Sequence, residues 1–404
     1  MSAAETQSSE VSAGTSWQER LLTRKLKNIE FGSIKITTPR NKILEFTSSK
    51  EGPNADIQLK NWRVLIRTIW GGHTYFFESF RRGEWETSDL YALLLFGELN
   101  ETSVDKVMKS TIWRRLIEQV LHKLNQNSRK GSKRNIAAHY DLGNSFYQLW
   151  LDKSMTYSSA LFEGQTTCLS EAQRQKYLRI ANKIELKEGD KLLEIGCGWG
   201  GFAEIAAKEY GCQVTGLTLS KEQASSCKKR LKDSGIERKV DIRLEDYRDV
   251  KGLYDKIVSI EMLEAVGEKF WRRYFESIRD RLAPGGKAAI QTITIKDDCF
   301  ESYKKNPDFI QQFIFPGGML PTPSAIKHNV EAVGLKLTDT FYFGKSYIKT
   351  LHLWDQEFKK QWSRIEELGF DTDFKNTWTY YLNYCAAGFQ SGRINVGQFL
   401  IQKS

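Results

Sequence analysis

The sequence has no stretch long and apolar enough to span a bilayer. Its nearest candidate, "YALLLF" at 91–96, is far shorter than the roughly 20 residues that a membrane-crossing helix needs. The opening "MSAAETQSSEVSAGTS" carries neither the basic start nor the apolar core of a secretory signal, and residues 1–16 read as a disordered tail. The six cysteines, at 168, 197, 212, 227, 299 and 385, include no C-x-x-C pair. That spacing disfavours a disulfide framework or a zinc site and suits reduced thiols in a cytosolic setting. The five histidines are equally dispersed, so no histidine-based metal centre is expected. No recognisable nucleic-acid module accompanies the net charge of +10.

What is present is enough for two folded domains: 404 residues, 40% of them hydrophobic and 12% aromatic. The positive charge is concentrated. Between Lys106 and Arg134 stand nine Lys/Arg against one acid, Glu118. Trp113, Leu116, Ile117, Val120, Leu121 and Leu124 interleave with them at helical spacing. An amphipathic basic helix suits an anionic membrane surface, although a solvated face of an ordinary packed helix gives the same pattern.

Residues 17–100 mix strand-like runs ("SIKITT", "DIQLKNWRVLIRTIW") with turn signals ("GGHTYFFESF"), which predicts a small α+β domain. Residues 101–134 form a basic connector, and "NQNSRKGSKRN" marks a boundary before 135. Beyond it, "CLSEAQRQKYLRIANKIEL" predicts a helix with Ser170 and Gln173 at capping-box spacing. Strands ("KLLEI", "QVTGLTL", "VDIRL", "KIVSI", "KAAIQTITI") then alternate with helices from about 200, from about 220 and around 268–282. Such alternation implies a parallel sheet covered on both faces, with ligands at the strands' carboxyl ends.

One loop dominates the chemistry. In "LLEIGCGWGGFAEIA", residues 192–206, Gly196, Gly198 and Gly201 satisfy the dinucleotide spacing G-x-G-x-x-G. A dinucleotide loop should be followed about 20 residues later by a ribose-binding acid, but that position is "TGLTLS", with none. The acid is instead Glu194, at the strand's end before the first glycine. A carboxylate there repels pyrophosphate and attracts a cation. S-adenosylmethionine, with an ammonium, a sulfonium and no phosphate, matches. Asp246 of "LEDYRD", with Tyr247 beside it, follows the third strand, where its carboxylate could accept the adenine amino group or merely form a turn.

"NIAAHYDLGNSFYQLWLDKSMTYSSALF" (135–162), "LEIGCGWGG", "SIEMLEAVG" (259–267), "FIFPGGMLP" (313–321), "SYIKTLHLW" (346–354) and "YLNYCAAGFQSGRINVGQFLIQK" (381–403) resemble cyclopropane fatty acid synthases and their mycolic acid-modifying relatives, in order over residues 135–404. "FRRGEWETSDLYALLLFGELN" (80–100) is similar to the N-terminal domain of the phospholipid-acting members. The resemblance implies a Rossmann-like class I methyltransferase with a seven-stranded α/β sheet (135–404), behind a small α+β lipid- or membrane-associated domain that with the connector spans 17–134. It implies S-adenosylmethionine held by Tyr157, Ser158, Gly196, Gly198, Thr218, Leu219 and Gln223.

The implied chemistry is attack of a cis double bond of an acyl chain on the donor's methyl group, followed by proton loss to a base. In the family that base is a bicarbonate held by a glutamate, a tyrosine, a histidine and backbone amides near a cysteine. The matching positions here are Glu264, Tyr347 and the backbone near Ile260, with two departures: Ser159 stands where many members have cysteine, and Gln291 where many have histidine. Glutamine still donates and accepts one hydrogen bond each but takes up no proton near neutral pH. Each residue also has a plainer reading: Glu264 as a helix N-terminal acid, Tyr347 as a core phenol, Gln291 as a partner for backbone groups. The aromatics of "DFIQQFIFPGGMLP" are core, or the wall of an acyl channel.

The expectation is thus a cytoplasmic enzyme peripherally bound to an anionic membrane, modifying unsaturated acyl chains of phospholipids and preferentially forming cyclopropanes. Methylene- or methyl-branched products, made with a partner oxidoreductase, are the alternative. Methylation of a small molecule at nitrogen or carbon, or silent lipid binding, is disfavoured. A homodimer is compatible with the chain. Nucleic acid is not expected as a substrate, since no N/D-P-P-Y/F motif occurs.

Overall fold

The computed structural model describes residues 16–101 and 142–404, and the chain divides into two compact units, Met1–Thr111 and Ile112–Ser404. The residues of the first fifteen positions and most of the basic connector, including the boundary expected at 134/135, lie outside the described residues.

In the first unit a four-stranded sheet of order β2-β1-β3-β4 packs with helices. Helix α1 (Trp17–Leu26) starts at Ser16, whose hydroxyl accepts from the Glu19 amide while the Glu19 carboxylate accepts from the Ser16 amide. Ser16 is therefore a helix cap, not the end of a tail. Strands β1 (Ser33–Thr37) and β3 (Asn54–Leu59) run parallel, with Ile34, Ile36, Ala55 and Ile57 buried by alternation. Strand β2 (Ile43–Thr47) pairs antiparallel with β1, and β4 (Trp85–Glu86) with β3.

"NWRVLIRTIW", expected as strand, is mostly helix: α2 runs Arg63–Arg81. The buried residues Val64, Leu65, Thr68 and Phe77 follow the helical repeat, not a strand's alternation. The expected turn at "GGHTYFFESF" survives only as a kink at Gly72, whose φ of 63° breaks α2 without ending it. Helix α3 (Leu90–Leu99) completes the unit, capped by Asp89 on the Ala92 amide.

The second unit is built on a seven-stranded sheet of order β10-β11-β9-β8-β5-β6-β7. Five strands, β5 (Lys191–Ile195), β6 (Gln213–Thr218), β7 (Val240–Leu244), β8 (Tyr254–Ile260) and β9 (Leu282–Ile295), pair in parallel. Strand β11 (Ile394–Gln402) runs antiparallel between β9 and β10 (Lys336–Tyr342), so the sheet is mixed. Alternation along β5 sends Leu193 and Ile195 into one core and Leu192 into another. The first is closed by α8 (Trp271–Arg281) and α10 (Pro323–Ala332), the second by α5 (Leu169–Lys183), α6 (Gly201–Glu209) and α7 (Lys221–Asp233). Helices cover both faces, as the strand–helix alternation predicts.

The other helices are α4 (Asn144–Trp150), α9 (Asp297–Lys305), α11 (Gly344–Lys360), α12 (Trp362–Glu367) and α13 (Thr372–Gln390). The capping box expected at Ser170 and Gln173 does not form. Helix α5 begins two residues earlier, after Cys168, and the Gln173 amide instead donates to the Ser158 carbonyl at 2.9 Å.

Candidate active site

The carboxyl ends of β5, β6 and β8 open into one pocket. All ten residues expected at the donor line it: Tyr157, Ser158, Glu194, Gly196, Gly198, Thr218, Leu219, Gln223, Asp246 and Tyr247. The glycine loop reaches the pocket in conformations that side chains resist, with φ of 83° at Gly196 and 52° at Gly198. A β-carbon on Gly198 would stand in open space, leaving bare backbone for a ligand to approach. Trp199, in the same loop, donates from its indole nitrogen to Asn144 at 2.6 Å, which ties the loop to the start of α4.

Glu194 is buried, and its Oε2 has no hydrogen-bond partner. Burial holds its carboxyl well above the usual range. An orphaned carboxylate oxygen lining a pocket is destabilising until a cation meets it. That fits the ammonium or sulfonium of S-adenosylmethionine. At the opposite edge, Ser220 caps α7 by accepting from the Gln223 amide, and the Thr218 hydroxyl donates to Gln223 Oε1 at 2.8 Å. Both side chains line the pocket. Asp246 is less free than expected: Arg248 donates to both its oxygens at 2.7 and 2.6 Å, and the Arg248 amide donates to Oδ1 at 3.0 Å. It is a turn-forming aspartate and a pocket residue at once. Burial pushes the neighbouring Tyr247 phenol up to about 12.

Behind the pocket sits a cluster of buried polar groups, and its centre differs from expectation. The sequence motif places Glu264 with Tyr347, Gln291 and Ser159; in the structure Glu261, three residues earlier, stands among them. The Ser159 amide (2.9 Å) and the Gln291 side-chain amide (2.8 Å) both donate to Glu261 Oε1. The Tyr347 hydroxyl donates to Glu261 Oε2 at 2.7 Å. Gln291 is fully buried, and its orientation is fixed by a relay. Its Oε1 accepts from Gln398 at 3.1 Å, whose own oxygen accepts from Arg179 at 2.7 Å.

Glu261 follows β8 with φ of 50°, a left-handed backbone rare for a residue with a long side chain. It lines the donor pocket together with Ile260, Met262, Ala265 and Val266. Of the amides near Ile260, that of Glu261 is engaged, donating to the Gln291 carbonyl at 2.7 Å.

Glu264 takes a different amide, that of Ile293, at 2.5 Å, and its Oε2 is buried without a partner. Burial first, and the Glu261 charge second, push its carboxyl up to about 8. Burial raises Glu261 as well, opposed by Lys176, Tyr347, Gln291 and the Ser159 amide. Lys176 is buried, donates to the Ser158 hydroxyl at 2.7 Å and is pulled down to about 7 by desolvation. The segment after β9 packs close by: the Met319 amide donates to the Glu264 carbonyl, and Phe309 and Ile314 are buried. Of the "DFIQQFIFPGGMLP" aromatics, Phe309 is thus core, and none lines the donor pocket.

Glu261, Lys176, Arg248 and Trp199 were not singled out by sequence reasoning. Glu261 lies within a quoted motif, "SIEMLEAVG", whose two acids are three residues apart, and nothing in the sequence shows which one turns toward the pocket.

Comparison with known proteins adds an independent line. The family model described as mycolic acid cyclopropane synthetase matches residues 127–399. The tuberculostearic acid methyltransferase UfaA1 of Mycobacterium tuberculosis is 38% identical over 337 residues, covering 81% of this chain and 78% of its own. The cyclopropane-fatty-acyl-phospholipid synthase of Escherichia coli is 33% identical over 349 residues, covering 86% and 88%. The mycolic acid cyclopropane synthase CmaA1, solved with SAH and CTAB, superposes with a TM-score of 0.64 at 32% identity, covering 67% of this chain and 98% of that one.

Proposed function

The chain belongs to the mycolic acid cyclopropane synthetase family of S-adenosylmethionine-dependent methyltransferases, and from that premise we propose that it transfers the donor's methyl carbon to a cis double bond in an acyl chain of a phospholipid, closing a cyclopropane ring. The observation that carries this reading is one continuous lining. The donor residues, with the orphaned Glu194 carboxylate, share one pocket with the apolar side chains of Ile260, Met262, Ala265 and Val266.

S-adenosylmethionine bound there supplies an electrophilic methyl group on a sulfonium. Glu194 offsets the positive charge; Thr218 and Gln223 take the nucleoside edges; Gly196 and Gly198 let the backbone close around the donor. The apolar wall receives the olefin and excludes water, so that a weak neutral nucleophile is positioned against the methyl carbon. Alkylation leaves a cation on the chain, which must lose a proton. Bicarbonate, the base implied by the family resemblance, does not fit the residues present: the donors that would hold it, on Ser159, Gln291 and Tyr347, are engaged by Glu261.

A phospholipid is favoured over a free acid by the extent of similarity. The 349-residue match to the relative named for acyl phospholipids is longer than the second unit, whereas CmaA1 is covered almost completely by 67% of this chain. The first unit therefore accompanies the phospholipid-named relative. No helix among the described residues is long and apolar enough to cross a membrane.

A second reading, a methylene- or methyl-branched product completed by a partner oxidoreductase, is favoured by the similarity to a relative named as a tuberculostearic acid methyltransferase. Deuterium-labelled donor, supplied with mixed monounsaturated phospholipid vesicles, separates the two. Loss of one methyl deuterium with ring-proton NMR signals is expected. Two deuteriums on an exocyclic =CD2 group without ring-proton signals, or three on a branching methyl, would establish the second reading, and an unlabelled lipid pool would overturn both.

A further inference from the structure

We propose that Glu261 is the enzyme's built-in base: its side-chain carboxylate stands where an exogenous anion would otherwise be held, and it takes the proton from the alkylated chain. This rests on the acyl-chain reading above and deepens it. Three observations converge. First, every donor of the cluster that faces Glu261, from the Ser159 amide, the Gln291 amide and the Tyr347 hydroxyl, ends on its carboxylate. An added anion would find no donor free among those three. Second, the carboxylate lines the donor pocket, whereas Glu264, Gln291, Ser159 and Tyr347 do not. Of these five, Glu261 has direct access to a substrate beside the donor. Third, the residue is held at φ of 50° at the end of β8. Strain of this kind persists where the surroundings over-determine it, and it clusters at active sites.

The chemistry balances. Attack of the double bond breaks the bond between sulfur and methyl carbon and places a positive charge on the neighbouring chain carbon. Glu261 removes one proton from the transferred methyl group. The electron pair of that carbon–hydrogen bond becomes the third bond of the ring, and the proton rests on Glu261 until the products leave. Three donors make a carboxylate a weak base, but the proton of an alkylated cation is strongly acidic, so weak basicity suffices. The same fixed negative charge stabilises the cation before the proton moves. The substitutions at 159 and 291 accord with this assignment. A backbone amide and a neutral glutamine hold a tethered carboxylate without any need for a cation to capture a free one.

The test compares wild type with Glu261→Gly and Glu261→Gln in buffer purged of carbon dioxide, with and without added bicarbonate. Glycine suits the left-handed backbone at 261 and removes the side chain, so that variant is expected to fold and to bind S-adenosylhomocysteine like wild type. Wild-type turnover of monounsaturated phospholipid vesicles should be the same with and without bicarbonate. Glu261→Gly should lose on the order of 100-fold or more in purged buffer and recover with millimolar bicarbonate or formate, whereas Glu261→Gln, which still fills the site, should not recover. Bicarbonate dependence of the wild type, or full activity of Glu261→Gly without any anion, would overturn the assignment.

A second measurement does not depend on the lipid. By 13C NMR of labelled bicarbonate with S-adenosylhomocysteine present, Glu261→Gly should bind the anion and wild type should not. Anion binding by the wild type would remove Glu261 from the role even if the lipid reading itself failed.

Discussion

Glu194 has a buried oxygen with no partner and a carboxyl held well above its usual range by desolvation. An acid raised in this way binds its proton more tightly in the folded than in the unfolded state, so its contribution to stability is intact at low pH and is lost as pH rises above the unfolded value. The donor's cation reverses that loss. Glu194→Gln should therefore raise the melting temperature of the donor-free protein at neutral pH while weakening S-adenosylhomocysteine, which retains the ammonium. A charged hydrogen bond of about 1.5–3 kcal/mol corresponds to a ten- to hundredfold rise in Kd, measurable by calorimetry. Both effects together distinguish a ligand-facing carboxylate from a structural one, whose loss would lower both stability and affinity. Glu194 was legible in the sequence because its position before the glycines is a statement about charge. Glu261 was not: its importance rests on a positive φ and on three donors from segments up to 102 residues away. Those are tertiary facts, and in a linear motif the two glutamates of "EMLE" look alike.

Among the elements, the β5–α6–β6–α7 run is where local pattern and structure agree most closely, and its capping shows why. Thr218 ends β6 and Ser220 caps α7, accepting from the Gln223 amide, while the Ser220 amide donates to Thr218 Oγ1 and the Thr218 hydroxyl donates to Gln223. One turn thus caps a helix and aligns two donor-site residues. Ser220→Ala should destabilise the protein by about 1 kcal/mol in urea denaturation. It should also weaken S-adenosylhomocysteine several-fold while leaving the exchange protection of the Ser159 amide unchanged, since the Glu261 cluster is built on other elements. Failure to weaken the ligand would separate the cap from the site. Sequence patterns erred where tertiary context overrides them. "NWRVLIRTIW" is rich in β-branched and aromatic residues, yet its buried positions repeat helically in α2. The Ser170–Gln173 spacing is lost because Gln173 is drawn to the Ser158 carbonyl instead.

At the scale of the whole molecule, the two units differ in what they are expected to do. The second carries all the residues that line the donor pocket, and the family model matches within it, at residues 127–399. A chain of residues 127–404, starting where the family model starts, should therefore fold alone and bind S-adenosylhomocysteine within about threefold of the full-length protein, as expected of an independently folding domain. Its turnover on vesicles containing anionic phospholipid should drop at least tenfold, and the drop should shrink as salt rises, as expected of an attraction between a basic segment and an anionic surface that ions screen over about 10 Å. Turnover of the same lipid dispersed in neutral detergent should be nearly equal for the two chains. Equal turnover on vesicles would show that the first unit has no part in meeting the membrane. Failure of the shorter chain to bind the donor analogue would instead show that the second unit depends on the first for its fold.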